Sequence, residues 1–383
     1  MFLMITFWIS VLLIGYTYFL YPALLDLYVR WRRRSTVQPE QGPTPSVAVV
    51  IAVFNEEKSL KAKIENVLDI EYPADKISFI FGSDGSTDGT NEILSHVNSS
   101  NIIVRKFAKR RGKASVLNDL IPTVSSDLVV LSDANTLFSP DAISKLVTPF
   151  SDSTVGAVCG ALILGSDNKT AGGLGENLYW RYESLVKNLE SKVSTTVGAT
   201  GAFYAIRRAL FRPLPTHRAV PDDLVLPMNA LRQGLRIAYE QSAVAYEDVT
   251  NSVSGEFRRK VRIGARNFYS ISEIAPFLHP KYGFASFALW SRKLIRWCVP
   301  FLLLLILASS ILLAFNSELF AGALIGQLTF YLVAAVGFLL EKRNARIGIF
   351  GIPYYFVAMN LALFVGFLKF LSREQPFTWE VVR

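Results

Sequence analysis

The sequence predicts an α/β domain with a mostly parallel sheet, carried between transmembrane helices at both ends of the chain. Three observations predict it. Apolar residues crowd the two ends of the 383-residue chain. In the middle, short apolar runs alternate with helical patterns. Polar, charged loops follow those runs one after another. Strands alternating with helices imply a sheet covered on both faces, and ligands of such sheets bind at the carboxyl ends of the strands.

Hydrophobic residues make up 51% of the chain, and the mean hydropathy of +0.32 is high for a soluble protein. Met1 to Leu25 carries no charged side chain, and about 20 such residues cross a hydrocarbon core. A signal peptide would place positive charge before the apolar stretch and a small-residue cleavage site after it. Here Arg30, Arg32, Arg33 and Arg34 come after. Residues 1–28 therefore read as a membrane anchor whose C-terminal flank is cytoplasmic. A basic, Pro-containing linker occupies 29–46. At the other end, Trp297 to Phe315 and Leu319 to Leu340 are long apolar runs with Glu318 between them. The net-positive connector from Glu341 to Arg346 reads as cytoplasmic. Gly348 to Phe370 is a further run, broken by Pro353. Tyr282 to Arg296 mixes Phe284, Phe287, Leu289 and Trp290 with Arg292, Lys293 and Arg296, as an interfacial helix would. The expected layout is an interfacial segment at 271–296, transmembrane segments over 297–371 and a tail at 372–383.

The net charge of +9 lies largely beside these segments, where basic residues meet anionic headgroups, so it requires no nucleic-acid partner. Cys159 and Cys298 suggest no disulfide, and His96, His217 and His279 lack zinc-ligand spacing.

In the middle, Val47 to Val53 reads as a buried strand, Glu57 to Leu68 as a helix, and Ile77 to Phe81 as a strand. Asn91 to Val97 reads as a short helix, Asn101 to Arg105 as a strand, Lys113 to Leu120 as a helix, and Leu128 to Leu131 as a strand. Ser139 then caps a helix with Pro140 at its first position. Gly175 to Val193 is an amphipathic helix whose Tyr179, Trp180 and Tyr182 form a core stripe, with one aromatic a candidate for an acceptor channel. Four loops follow the strands: Phe54 to Glu57, Gly82 to Thr90, Lys109 to Lys113, and Ser132 to Asn135. Each alone could be a turn or a solvated face. Together at one sheet edge they suit a nucleoside diphosphate. Carboxylates there bind base or ribose hydroxyls, Lys and Arg neutralise phosphate, and Asp133 can hold a divalent metal on the diphosphate.

The runs Val50-Ile-Ala-Val-Phe-Asn-Glu-Glu57, Ser83-Asp-Gly-Ser-Thr-Asp-Gly-Thr90, Arg111-Gly-Lys-Ala114 with Asn118, and Ser132-Asp-Ala-Asn135 resemble the successive motifs of family 2 glycosyltransferases. The resemblance continues through Gly201 to Arg207, Pro221-Asp222-Asp223, and Arg258 to Arg262. It is strongest to membrane synthases of the cellulose, hyaluronan and poly-N-acetylglucosamine type. It implies a GT-A fold over 47–270 and an inverting transfer from a nucleotide-sugar donor, UDP-linked by resemblance, to a glycan or lipid acceptor. It also implies a divalent metal, Mg²⁺ or Mn²⁺, a plasma-membrane site with the catalytic domain cytoplasmic, and accessory secretion subunits as partners.

By the same resemblance Glu56 and Asp84 bind the nucleoside, and Lys113 stands near the base or diphosphate. Asp133 matches the first Asp of the Asp-x-Asp metal motif, and Asn135 replaces the second. Asp223 matches the general base of the Thr-Glu-Asp motif, with Asp222 beside it. Arg259 and Arg262 match the basic positions of the Gln/Arg-x-x-Arg-Trp motif, and Ile263 replaces its acceptor-stacking Trp. Without the resemblance, Asp222 and Asp223 read equally as caps of a helix starting near Leu224, and the Arg258 to Arg266 cluster reads as membrane-surface attraction. Competing functions remain open: glycan extension, single transfer to a lipid, and a non-catalytic nucleotide sensor. Inverted-repeat transport is disfavoured by the one-to-three split of apolar segments.

Overall fold

The structure, a computed structural model, describes residues 1–32, 44–165, 171–247, 253–343, 345 and 348–373. Arg33, Arg34, most of the linker, Asn344, Arg346 and the tail beyond Arg373 lie outside them. The chain opens with α1 (Phe2–Arg32), an apolar helix of 31 residues. The sheet then begins with β1 (Val47–Val53), all seven of whose residues are buried. Val, Ile and Ala fill it because a parallel central strand meets helices on both faces. Its alternate residues serve two cores: Ala48, Val50 and Ala52 one, Val47, Val49, Ile51 and Val53 the other.

Helix α2 (Glu57–Leu68), β2 (Ile77–Asp84), α3 (Thr90–Ser95), β3 (Ile102–Phe107), α4 (Lys113–Leu120) and β4 (Leu128–Ser132) complete the first half. Strands β1 to β4 pair parallel in the order β3-β2-β1-β4. The second half adds β5 (Thr136–Phe138), α5 (Ala142–Val147), β6 (Val155–Leu164), α6 (Ala171–Val193), β7 (Phe203–Arg207), α7 (Asp222–Arg232) and β8 (Arg236–Glu247). Among the described residues the sheet has eight strands in the order β3-β2-β1-β4-β7-β6-β8-β5, and it is mixed but mostly parallel. Strand β7 runs antiparallel to β4 and β6, while β6 and β8 are parallel. Helix α8 (Val253–Tyr269) then leads to three further apolar helices: α9 (Phe284–Ala314), α10 (Glu318–Lys342) and α11 (Gly348–Leu371). Among the described residues, four helices are thus long and apolar enough to cross a membrane.

Several expectations need correction. Ser139 does not cap a helix. Its hydroxyl donates to Asp141 and Val244, and α5 starts only at Ala142. Pro353 does not break the last apolar run. It sits in the first turn of the helix from Gly351 to Leu371, where a missing N–H costs nothing. The stretch around Arg292 is not a separate interfacial helix; it is the start of α9, and its basic residues face inward. Arg292 is fully buried, and its guanidinium meets Glu183 at 3.0 Å and Glu190 at 3.2 Å. Its Nη2 also donates to the Val197 carbonyl. Arg296 donates to Glu183 at 2.8 Å. Burial alone would raise the Glu183 carboxyl, but Arg292 and Arg296 override it and hold the group well below the ordinary range. Tyr21 of α1 joins the same network by donating to Glu190 at 2.7 Å. The apolar helices and the sheet domain are therefore joined through α6. One core also runs without a break from the sheet to Phe268, Leu289 and Trp297.

Candidate active site

The strand-following loops meet, because parallel pairing puts the ends of β1, β2 and β4 on one edge. Asn55, in the left-handed region at φ 51°, accepts from the Thr87 amide at 2.8 Å and donates to the Thr87 hydroxyl at 3.2 Å. The Glu56 amide donates to the Thr90 hydroxyl at 2.8 Å. Asp84, fully buried, accepts from the Arg111 and Gly112 amides at 2.8 and 2.7 Å. Gly85, also left-handed, lets that loop press against the backbone at Lys109 and Arg110, where a Cβ would lie within 2.7 Å. The first three loops thus brace one another and aim Lys113 at the fourth.

Beside them opens a cavity of about 400 Å³. Glu56, Lys113, Asp133, Asn135, Asp222, Asp223, Arg259 and Arg262 all line it. Asp84 does not. It was expected to contact the nucleoside, but its two oxygens hold the loop that carries Lys113. Lys113 Nζ donates to Asp133 at 2.8 Å and lies 3.2 Å from Asp222. Burial would lower that ammonium, but Asp133 and Asp222 outweigh it and raise it. Tyr204 donates to the other oxygen of Asp222 at 2.9 Å.

Asp222 and Asp223 form the first turn of α7, whose N-cap is Pro221, and neither side chain caps it. Asp223 is pushed up to about 6, by burial first and then by the charge of Asp222, against Lys293, Lys113 and Lys187. Gly201 packs on this carboxylate; a Cβ there would stand 3.3 Å from Asp223 Oδ2. Arg259 is committed to carboxylates. It meets Glu256 at 2.6 Å and pairs with Glu176, and these partners raise it despite burial. Ile263 lines the cavity where the resemblance would place a Trp.

The residues the sequence reading missed are Glu247, Lys63, Lys187 and Lys293. Glu247 reaches the site because β8 pairs with β5 in a register that sets it opposite Thr136. Asn135, expected as a metal ligand, donates its amide to Glu247 at 3.1 Å instead. Glu247 is pushed up to about 7, by burial first and by the charge of Asp133 second. Lys63 is fully buried beneath Asp133, donates to Ser132 at 3.1 Å and to the Thr136 carbonyl, and is lowered to about 7 by burial. Helical periodicity gave no reason to single it out.

Among the described residues no group of three or more His, Cys, Asp or Glu could hold a metal. The donors that do stand here are the Asp133 and Glu247 carboxylates. One or two carboxylates plus substrate phosphates and water are what Mg²⁺ or Mn²⁺ takes at a phosphate site, so the donor set fits such an ion.

Residues 48–214 match the family described as Glycosyl transferase family 2. The chain is 24% identical over 220 residues to a poly-beta-1,6-N-acetyl-D-glucosamine synthase of Staphylococcus aureus, covering 56% of this chain and 53% of that protein. A synthase of the same name from Staphylococcus epidermidis is 24% identical over 238 residues, covering 61% of this chain and 57% of that one. The chain thus spans about half the length of the curated relatives it matches. Among solved structures, a mannosyltransferase from Pyrobaculum calidifontis in complex with GDP-Man and Mn²⁺ superposes with a TM-score of 0.70. It is 21% identical and aligns over 96% of this chain and 99% of its own, so it shares the GT-A fold. Motif order, sheet topology and these likenesses agree, and residues 48–214 are similar to glycosyltransferase family 2.

Proposed function

We propose that the protein is an inverting glycosyltransferase. It moves a sugar from a nucleoside diphosphate donor, UDP by family resemblance, to a hydroxyl of a growing glycan at the membrane. The observation that carries this reading is Asp223, a buried carboxylate raised to about 6, facing a basic, carboxylate-lined cavity at the sheet edge. A hydroxyl is a poor nucleophile at neutral pH, and Asp223 takes its proton as it attacks the anomeric carbon. A single base opposite the leaving group gives inversion. Lys113 and Arg262 meet the charge that grows on the departing diphosphate, and Lys113 is positioned for this by Asp133 and Asp222. Arg259 acts through the helix it braces, since its guanidinium is already paired with Glu256 and Glu176. Asp133 and Glu247 would hold the divalent metal, which when bound would neutralise the diphosphate. The names of the staphylococcal relatives support a glycan product, and the GDP-Man and Mn²⁺ of the structural neighbour support the donor class and the metal. The basic flanks of its apolar helices support a cytoplasmic catalytic domain.

The test offers the purified full chain UDP-glucose, UDP-N-acetylglucosamine and GDP-mannose with Mg²⁺ or Mn²⁺, and measures nucleotide release and product size. Release from one donor, abolished by Asp133→Ala, is expected. No release from any donor, or undiminished release by that variant in chelator, would sink the reading.

A further inference from the structure

Asp223 serves the proposed transfer only when ionised, and burial and the neighbouring Asp222 both oppose that charge. The groups that face it are differently occupied. Lys113 of α4 is paired with Asp133 and Asp222. Tyr204 of β7 donates to Asp222 at 2.9 Å. Lys187 of α6, almost fully buried, donates to the Thr200 hydroxyl at 2.7 Å. Arg266 of α8 feels the Asp223 charge from a further side. Lys293 of α9 is the exception. It lines the cavity with Asp223. Among the described residues its side chain makes no hydrogen bond and no ion pair, and neither does that of Asp223. The acids of α6 that could take it are occupied, Glu183 by Arg292 and Arg296, and Glu190 by Arg292 and Tyr21. Of the cations around Asp223, Lys293 draws its carboxyl down most.

The place of Lys293 is also built. Leu289–Leu294 is wound as a π-helix, a widened turn of the kind that gathers at functional sites. Both flanks of Lys293 are fastened. The Ser291 hydroxyl meets Tyr16 at 2.6 Å, and its carbonyl accepts from Thr17 of α1 at 2.7 Å. Arg292 is locked onto α6 by Glu183 and Glu190. An ammonium held away from bulk water without a partner is costly unless an opposite charge faces it. We propose that Lys293 is a positioning residue for the transfer, its ammonium standing as the counter-charge of the Asp223 base. This rests on the transferase reading and adds a residue to its site. Because the two groups face each other without pairing, the Asp223 oxygens stay open to the acceptor hydroxyl.

The experiment follows donor-nucleotide release by the full chain against pH, for the wild type, Lys293→Met, Lys293→Gln and Lys293→Arg. Removing the positive charge should move the midpoint of the acid limb up from about 6 by about one pH unit. At the wild-type midpoint that is a loss of roughly fivefold, recovered at the high-pH plateau. Lys293→Arg should restore the midpoint, and the donor KM should hold in every variant. A variant that merely folds less well lowers the whole curve without moving its midpoint. An unmoved midpoint in Lys293→Met and Lys293→Gln therefore overturns the assignment, and so does a midpoint moved as far by Lys293→Arg. A raised KM at a fixed midpoint would make Lys293 a substrate-binding group, and failure of the neutral variants to fold would make it a structural cation; either overturns it. No turnover by the wild type at any pH would instead bring down the transferase reading beneath it, and turnover without an acid limb would bring down Asp223 as base.

Discussion

Asp223 ties structure to mechanism through one number. Its carboxyl is held up to about 6, by burial and by Asp222. The folded-state value lies above the unfolded one, so ionising it costs stability as pH rises from the ordinary carboxylate range through about 6. As the proposed base it must be ionised, so turnover should climb with pH through about 6 and level off above. Asp223→Asn should remove that acid limb and lower the rate about 10²-fold or more, while nucleotide binding persists and thermal stability at pH 7 is kept or raised. An unchanged pH profile in the variant would assign the base elsewhere, with Asp222→Asn the next substitution to measure. Glu247 makes a separate prediction. If it shares a cation with Asp133, Glu247→Gln should weaken Mn²⁺ binding to the nucleotide complex by about tenfold or more, read directly by calorimetry. Unaltered Mn²⁺ affinity would leave Asp133 without that partner.

Two helices decide how the site meets the membrane. Helix α6 carries Glu183 and Glu190, and α9 answers with the buried Arg292 and with Arg296. Removing one partner of a buried ion pair strands the others, at a cost of about 3–5 kcal/mol. Arg292→Met should therefore lower the unfolding midpoint sharply in detergent and detach α6 from the sheet. Replacing Glu183 and Glu190 by Gln in the same variant should recover part of the loss. A midpoint within a degree of wild type would mean the network contributes nothing net. This pairing also explains why an amphipathic pattern misled. Arg292, Lys293 and Arg296 beside Phe287 and Trp290 resemble an interfacial face in one dimension, and nothing local reveals that two carboxylates about a hundred positions upstream await them.

At the scale of the molecule, the sheet domain and the apolar helices share a core through Phe268, Leu289 and Trp297. The sheet domain and the apolar helices are thus one packed body, and the orientation of one fixes the other. The basic residues after α1 and after α10 predict a cytoplasmic domain. In a Cys298→Ser background, which leaves only the buried Cys159, a cysteine introduced as Ser100→Cys at an exposed turn should resist an impermeant maleimide in intact cells. It should label after lysis. Labelling from outside would reverse the topology.

The sequence by itself determined what depends on neighbours in the chain. Val47–Val53, Glu57–Leu68 and Lys113–Leu120 were legible to the residue, because burial on both faces demands an unbroken apolar strand and an amphipathic helix repeats every turn. The apolar helices were legible from length and composition, and the motif loops from their order after strands. Strands β5 to β8 were not foreseen, because β7 slots antiparallel between β4 and β6, and β6 pairs with β8 about 80 residues away. Such partners are chosen by the packing of the whole sheet, not by local propensity. Tertiary structure alone brought Glu247 beside Asn135, spent Asp84 on a backbone loop, bound Arg259 to carboxylates and buried Arg292. A charged group's role follows from which opposite charge it meets after folding, and the one-dimensional order of residues does not contain that distance.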